Sequence, residues 1–479
     1  MFDEASLAVQ GAIDAGAEYA DARAVVSKSE TINVQNQNLS QFDRSEHAGV
    51  GVRALIGSSW GFAATPSLDA GSIRAAGEAA AATAIASAMV PGPPMEFADV
   101  VVSDATWETP FDEDPFTVSL SEKVDLLVDV TATAQSVPGI AIATGNLTFW
   151  DTTTWFVSSQ GHRIHQRIVE SGGGYDATAI GDAETQRRSY PQSFGQYETG
   201  GFETIRKWNY ADHAQRIAEE AVALLSADEM EERETALILE GSQLALQIHE
   251  SVGHAIELDR ILGWEAAFAG TSHLELAQLG THRYGSDLMN ITADATLPGA
   301  LGTFGFDDEG TPARRVDIVK NGIWVGVLSG RDSAAMAGLA PGGMVRGDGF
   351  NRLPMVRMTN VGLLPGEGTL DDIISDTDDG VYMATNRSWS IDDRRLNFQF
   401  GCEIAWEIKG GKLGRMLKNP TYTGITPQFW GTLDRLAGES EWVHWGTPNC
   451  GKGQPMQVAH TGHSASPGRF SNVRVGVRG

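Results

Sequence analysis

The chain has 479 residues, 42% of them hydrophobic and 20% charged, which is the composition of a folded globular protein and excludes a disordered or fibrous one. At about 150 residues per domain, the length predicts roughly two to four domains. Asp and Glu number 62 against 35 Lys and Arg, and the resulting net charge of −27 argues against a nucleic-acid partner, whose phosphates would be repelled.

The start of the chain and its cysteine content predict the compartment. Residues 1–4 are acidic and lack the basic region of a secretory signal, and no window approaches the ~18 to 20 consecutive apolar residues of a membrane helix. We therefore expect a cytoplasmic protein with no membrane partner. The two cysteines, Cys402 and Cys450, cannot form a disulfide framework, so each is expected to be a buried apolar residue or a functional thiol.

In chain order, the first half predicts helices and antiparallel strands. Apolar residues at helical spacing near the start give way to the two-residue alternation of strands, which continues to residue 65. The pattern then predicts helices over 72–89 and 121–135, strands over 139–181 and a helix over 211–227. A charged stretch follows, and we place the main domain boundary near residue 230.

The second half opens with a short apolar strand over 235–239, followed by a helical run in which Ser242 is the candidate N-cap. Strands return after about residue 310, and the paired glycines within 406–413 predict a hairpin with a primed turn. We therefore predict an α+β fold of two domains. Residues 1–230 form a helix and antiparallel-sheet domain, and residues 231–479 form a sheet-rich domain.

The helix after Ser242 contains His249, Glu250 and His254, which are the components of a hydrolytic zinc site. In zincins the two histidines are four residues apart, whereas here they are five apart. In an α-helix a separation of four leaves two side chains ~40° apart, and five leaves them ~140° apart. Either a local π-turn aligns the two imidazoles, or they are a chance pair with no metal.

Several segments of the chain, in the same order, resemble the TldD/PmbA family of metallopeptidases. In the second half these are residues 249–259, 307–312, 353–360, 364–367 and 450–454, and the first half matches more loosely through residues 19–21 and 49–54. In that family the spacing His-Glu-x-x-x-His marks the active, TldD-like members, and their PmbA-like (TldE) partners lack it. The resemblance implies that this chain is similar to the active class.

The same resemblance implies that Cys450 is the third zinc ligand beside His249 and His254. The assignment is chemically sound, because a catalytic zinc needs three protein ligands and an open position, and thiolate is a strong zinc donor. We also expect the helix to depart from regular α form between the two histidines, with Gly253 as the place that tolerates it.

Other residues near these motifs are alternatives. Glu257 and Asp259 are expected to orient an imidazole N–H rather than to bind the metal directly. His460 and His463 form a His-x-x-His pair that is more typical of surface or sheet-edge histidines than of ligands. Cys402 alternates with apolar residues in a strand pattern and is expected in the core.

Two further sets of residues in the shared motifs have open roles. Arg357 and Asn360 could form a structural clamp between loops, or could recognise the peptide backbone or a carbonyl near the metal. The acidic residues 307–309 could bind a cation, but the sequence after them predicts a turn, and a solvated turn is the commoner outcome.

These observations predict a zinc metallopeptidase that hydrolyses unfolded peptides or modified peptide precursors. Zn²⁺ would be held by His249, His254 and Cys450, and Glu250 would take a proton from the metal-bound water. The resemblance implies a dimer, either with a PmbA/TldE-like subunit or with a second copy. Two alternatives stay open: a noncatalytic metal-containing partner subunit or peptide-binding module, and a hydrolase of a non-peptide amide.

Overall fold

The computed structural model describes residues 1–90, 96–268 and 270–477, and the α+β class predicted from the sequence is confirmed. The helices of the first half are α1 (Phe2–Asp14), α2 (Ala70–Ser87), α3 (Leu120–Gln135), α4 (Glu203–Lys207) and α5 (Tyr210–Leu224). Its strands are β1 (Tyr19–Gln35), β2 (Asn38–Ile56), β3 (Ser59–Thr65), β4 (Asp104–Glu108), β5 (Ile140–Ser158), β6 (Arg163–Ile180), β7 (Thr185–Tyr190) and β8 (Gln196–Thr199).

These strands form one sheet in the order β3-β2-β1-β5-β6-β4, with β7 and β8 also paired to β6. The pairings are antiparallel except that of β4 with β6. Because successive side chains of a strand point to opposite faces, β1 presents its even-numbered residues to one side and its odd-numbered residues to the other. Ala20, Ala22 and Ala24 pack against α1 and α2, and Ile32 packs in the core formed with α3 and α5.

The odd-numbered side of β1 faces the second half of the chain. Asp21 accepts hydrogen bonds from Arg53 on β2, and Arg53 Nη1 lies 3.0 Å from Glu309 Oε1. Arg23 forms a second bridge, 2.8 Å long, to Asp308. The first sheet is therefore covered by helices on one face and by the second half on the other.

The helices of the second half are α6 (Gly241–Ile248), α7 (Leu258–Ile261), α8 (Arg331–Ala337), α9 (Leu370–Ser375) and α10 (Thr426–Gly431), with a π-turn at His249–Gly253 and 3₁₀ turns at Leu276–Gln278 and Glu439–Glu441. Its strands are β9 (Asp228–Glu229), β10 (Arg233–Leu239), β11 (Ile291–Asp294), β12 (Arg315–Lys320), β13 (Ile323–Trp324), β14 (Val345–Arg346), β15 (Met355–Val356), β16 (Val361–Leu363), β17 (Asp379–Ile391), β18 (Asn397–Lys409), β19 (Lys412–Lys418), β20 (Thr421–Ile425), β21 (Leu433–Leu436), β22 (Val443–Lys452), β23 (Gln457–Ala465) and β24 (Gly468–Val475).

Five of these strands close into a ring, because β10 pairs with β17, β17 with β18, β18 with β20, β20 with β24, and β24 again with β10. The predicted hairpin is β18–β19, and Gly410 and Gly411 at its turn both have positive φ, at 54° and 72°. The largest core of the chain forms around this ring and α6, and it includes Cys402, which is fully buried as predicted. The division of the chain at residue 230 stays a prediction.

Two expectations about local structure are wrong. Glu240, not Ser242, is the N-cap of α6, because its carboxylate accepts from the Ser242 N–H at 2.9 Å. The turn that contains Asp307 and Glu309 is not solvated, since both side chains are buried. Asp307 Oδ1 accepts from the backbone of Thr311, and burial raises the pKa of Glu309 to about 8. Spacing alone did not show that this turn lies against the first sheet.

Among the helices of the described residues, none combines the length and apolar character that a membrane crossing needs.

The buried contacts of Arg53 with Asp21 and Glu309 predict a large loss of stability when the guanidinium is removed. Arg53→Met should lower the free energy of unfolding by about 3–5 kcal/mol, because the Asp21 carboxylate would be left buried without its cation and Glu309 would lose the donor that binds its Oε1. Arg74→Met is the matched control, since the Arg74–Asp14 pair is 44% and 43% exposed and should contribute less than about 1 kcal/mol. Urea unfolding measures the free energy of unfolding of both variants, and equal decreases in the two would contradict the assigned role of Arg53.

Candidate metal centre

The helix that carries His249 and His254 begins directly after a buried strand. Strand β10 ends at Leu239, α6 runs to Ile248, and the helix then widens into the π-turn His249–Gly253. The His254 N–H donates to the His249 carbonyl at 3.2 Å, which is the i to i+5 bond of a π-turn. The predicted departure from α form is therefore confirmed, and it places the two imidazoles with their ring centres 4.9 Å apart.

Neighbouring side chains complete the hydrogen bonds that the wide turn leaves open. The carbonyl of Ser251 accepts from the Tyr284 hydroxyl at 2.6 Å, and the Ser251 hydroxyl accepts from Trp430 Nε1 at 2.9 Å. Gly253 has no positive φ, so its backbone freedom is not the reason for glycine here. A Cβ at Gly253 would lie 2.1 Å from Met358 Sδ, so any larger residue here would displace the Met358 side chain.

The hairpin β22–β23 brings Cys450 to the two histidines. Its Sγ lies 3.7 Å from His254 Nε2, and one ligand atom from each of His249, His254 and Cys450 lies within 4.8 Å of the others. All three side chains are buried, as is Glu250 beside them. The structure therefore brings together the three residues predicted as ligands and the predicted base.

The tautomer of His249 is set by His463, which the sequence pattern placed at a surface or sheet edge. The sheet edge is confirmed, because β23 belongs to a two-stranded sheet, while the surface position is wrong, because His463 is fully buried. Its Nδ1 lies 2.9 Å from the Val361 carbonyl, which can only accept, so Nδ1 carries the proton. Burial and the neighbouring His249 hold the pKa of His463 well below its usual value, so Nε2 has a free lone pair. It accepts from His249 Nδ1 at 2.7 Å, and this leaves the lone pair of His249 on Nε2.

Glu257 sets the tautomer of His254 in the same way. Its Oε2 accepts from His254 Nδ1 at 3.1 Å, which leaves His254 Nε2 without the proton. Burial acts to raise the pKa of Glu257, but Lys452 and His254 outweigh it and hold the pKa well below its usual range. Both imidazoles thus present an unprotonated Nε2 to the same point, as metal ligands must.

The pKa shifts of the three candidate ligands favour the protonation states that bind a metal, which are neutral imidazole and thiolate. Burial lowers the pKa of His249 and of His254, which keeps both imidazoles neutral near pH 7. Burial acts to raise the pKa of the Cys450 thiol, but the net shift is downward, and the guanidinium of Arg357 is one of its causes. A lowered thiol pKa favours the thiolate, which is the form that binds metal.

Asp259 and Arg357, which the sequence placed near the metal, bind the β22–β23 hairpin and do not line the cleft. Lys452 Nζ lies 2.8 Å from Asp259 and 3.4 Å from Glu257, so it joins β22 to the segment after the π-turn. Burial raises the pKa of Asp259 to about 6. Arg357 donates to the carbonyls of Cys450 and Gln457, one on each strand of the hairpin.

Asn360 makes its contacts away from the ligands. Its Nδ2 donates to the Asp294 carbonyl at 2.7 Å, and its Oδ1 accepts from the Gly302 N–H at 2.7 Å. Because Asn360 is fully buried and bonded to its own chain, these contacts favour the clamp over the recognition of a peptide. His460, at the surface-facing end of the His-x-x-His pair, is half-buried and binds Glu170 at 2.7 Å.

A cleft of about 370 Å³ opens onto the candidate ligands. Glu250 lies in its wall, and Glu250 Oε2 accepts from Arg395 Nη1 at 2.7 Å. Phe194, Leu246, Trp389 and Ile391 supply apolar walls, and Asn449 is among the polar ones. Arg395 and the aromatic residues were missed from the sequence, because they lie on loops and strands with no motif around them.

The chain is similar to known proteins over almost its whole length. Models of PmbA/TldA metallopeptidase domain 1, of the central domain and of the C-terminal domain match residues 20–88, 113–225 and 232–476. A metalloprotease of Methanothermobacter thermautotrophicus is 28% identical over 96% of this chain and 95% of its own length. A metalloprotease of Methanocaldococcus jannaschii is 26% identical over 93% of this chain and 95% of its own.

Solved structures share the fold at lower identity. A Thermotoga maritima protein superposes with a TM-score of 0.78 at 17% identity, over 99% of each chain. TldE from Thermococcus kodakarensis superposes with a TM-score of 0.70 at 16% identity, over 98% of this chain and 99% of its own. The matched domain models cover most of the chain, which therefore belongs to the PmbA/TldD family of metallopeptidases.

Proposed function

We propose that this chain is a zinc-dependent peptidase that hydrolyses unfolded peptides or modified peptide precursors. The observation that carries the proposal is the convergence of His249, His254 and Cys450 on one point of a cleft that also contains Glu250. A purely structural metal would not need a carboxylate beside its first ligand. The names of the two archaeal relatives support the same class of activity.

The donor set fits Zn²⁺. Zinc–sulfur bonds of about 2.3 Å and zinc–nitrogen bonds of about 2.0–2.1 Å place two tetrahedral ligands of one ion about 3.6 Å apart. The distance from Cys450 Sγ to His254 Nε2 is 3.7 Å. A bound Zn²⁺ would act as a Lewis acid and lower the pKa of water from 15.7 to about 7. Three protein donors leave the fourth position of such an ion for water or substrate.

The chain's own residues supply the proton transfers. Arg395 binds Glu250 Oε2 and holds the carboxylate at the cleft wall, which leaves Oε1 to take the proton of the attacking water. The same oxygen then gives the proton to the amine that leaves. His463 and Glu257 keep the protons of His249 and His254 on Nδ1 throughout, so both Nε2 atoms stay available to the metal.

The dimensions of the cleft support an unfolded substrate. Its walls come from both halves of the chain, with Phe194 from the first and Trp389 from the second. A volume of about 370 Å³ accommodates a few residues of extended peptide but not a folded domain. We propose cytoplasmic action, because oxidation of the Cys450 thiolate would destroy a ligand.

The proposed assembly is a dimer with a PmbA/TldE-like subunit or with a second copy. Membership of the PmbA/TldD family and the fold shared with TldE of Thermococcus kodakarensis support it.

The role of Glu250 predicts a loss of turnover without a loss of metal. Glu250→Gln keeps the size of the side chain and its contact with Arg395 but cannot accept a proton, so hydrolysis of an unfolded peptide should fall at least about 100-fold. Zinc content should stay near that of the wild type. Glu407→Gln, outside the cleft, is the control and should be fully active. An active Glu250→Gln enzyme would exclude the proposed mechanism.

The role of His463 predicts weaker metal binding. His463→Leu removes the acceptor of the His249 N–H, so the affinity for Zn²⁺ should fall about 10- to 100-fold. His463→Gln, whose amide oxygen can accept the same hydrogen bond, should recover part of the affinity. His460→Leu, three residues away on the same strand, should bind zinc normally. Competition with a chelating dye measures all three, and an unchanged affinity in His463→Leu would refute the assignment.

A further inference from the structure

A second cleft, of about 390 Å³, adjoins the one at the candidate metal centre. The two clefts share Phe194 and Trp389, whose rings meet edge to face with centres 5.7 Å apart. Strand β17 forms a wall of both, with Arg387 in the second cleft and Ile391 in the first. At about 3.3 Å per residue, these two positions are about 13 Å apart, the length of four residues of extended peptide.

Two arginines line the second cleft, Arg187 on β7 and Arg387 on β17. Arg387 Nη1 donates to Gln186 Oε1 at 3.2 Å and to Asn419 Oδ1 at 2.5 Å, and both of these oxygens belong to neutral amides. A guanidinium has five N–H donors, and within the described residues only Nη1 of Arg387 makes hydrogen bonds. These contacts do not neutralise its positive charge, and the carboxylate that interacts with it electrostatically, Glu184, is itself paired with Lys418.

Arg187 is also weakly paired. Its Nε lies 3.6 Å from Asp176 Oδ1, and its Nη2 lies 3.4 Å from the Ser193 carbonyl. Both distances are longer than those of a strong charge-assisted hydrogen bond, at about 2.7–2.9 Å. The Arg187 side chain is 50% exposed, so it can reorient towards a ligand.

The carboxylate in the wall of this cleft, Glu403, is already compensated. It accepts from Arg188 at 2.7 Å and from the N–H and hydroxyl of Ser189 at 2.8 and 2.6 Å, and its side chain is only 3% exposed. Among the described residues that line the cleft, the charged ones are thus two weakly paired arginines and one carboxylate that is already compensated, in a chain whose net charge is −27. The global charge favours basic peptides, whereas this local charge favours acidic ones.

We propose that the second cleft is a specificity subsite that binds a carboxylate of the peptide substrate through Arg187 and Arg387. The acidic residue would lie two to four positions from the scissile bond, because β17 spans that length between the clefts. The bonds formed would be charge-assisted, with Phe194 and Trp389 packing on the peptide between the two sites. The inference rests on the proposed peptidase function and names its substrate class.

Binding to the metal-loaded Glu250→Gln protein tests the subsite without turnover. The probes are fluorescent peptides of about ten residues in extended form, in which one Glu is moved along the chain and compared with Gln at the same position. At one position Glu should bind about tenfold more tightly than Gln, and the preference should decrease at high salt. Arg187→Gln with Arg387→Gln should abolish the preference, whereas Arg415→Gln, an exposed arginine on β19, should preserve it.

The outcomes separate the two proposals. Binding with no preference for Glu at any position, or a preference that survives loss of both arginines, would overturn the subsite alone. In that case the wild type would still hydrolyse the Gln peptides. If no peptide binds and the wild type hydrolyses none, both the subsite and the proposed function are wrong.

Discussion

The i to i+5 hydrogen bond between the His254 N–H and the His249 carbonyl is the constraint on which the candidate site depends. Without it, residues five apart would project about 140° from each other and could not share an ion. The wide turn needs compensation, which Tyr284 supplies through the carbonyl of Ser251. Met358 packs against the turn, and the absence of a side chain at Gly253 leaves room for it. A motif of six residues is thus maintained by side chains far away in the sequence.

The hairpin that carries Cys450 is fixed to this turn by charge. Lys452 binds Asp259 and Glu257, while Arg357 binds carbonyls of both hairpin strands. These groups are buried, so each would be costly to leave unpaired, and their pairing specifies one position of the hairpin. Because Glu257 also binds His254, the same ion pairs that place the thiolate set the proton of a neighbouring imidazole. Position and protonation of the donors are therefore linked.

Local features of the site could be predicted from the sequence, but the partners of the ligands could not. The strand before α6, the Gly410–Gly411 hairpin and the need for a π-turn follow from periodicity, turn chemistry and helix geometry. His463 was placed at a surface or sheet edge, because a strand pattern does not show which neighbour covers it. Arg395 had no motif, since its contact with Glu250 joins positions 145 residues apart. Such contacts form only when the whole second half of the chain has folded.

The central claim is that two imidazoles and one thiolate hold a single zinc ion. X-ray absorption at the zinc edge of the purified, zinc-loaded protein tests it directly. The account predicts one sulfur at about 2.3 Å and two imidazole nitrogens at about 2.0–2.1 Å, with the sulfur absent in Cys450→Ser. A zinc shell of nitrogen and oxygen alone in the wild-type protein would contradict the ligand set.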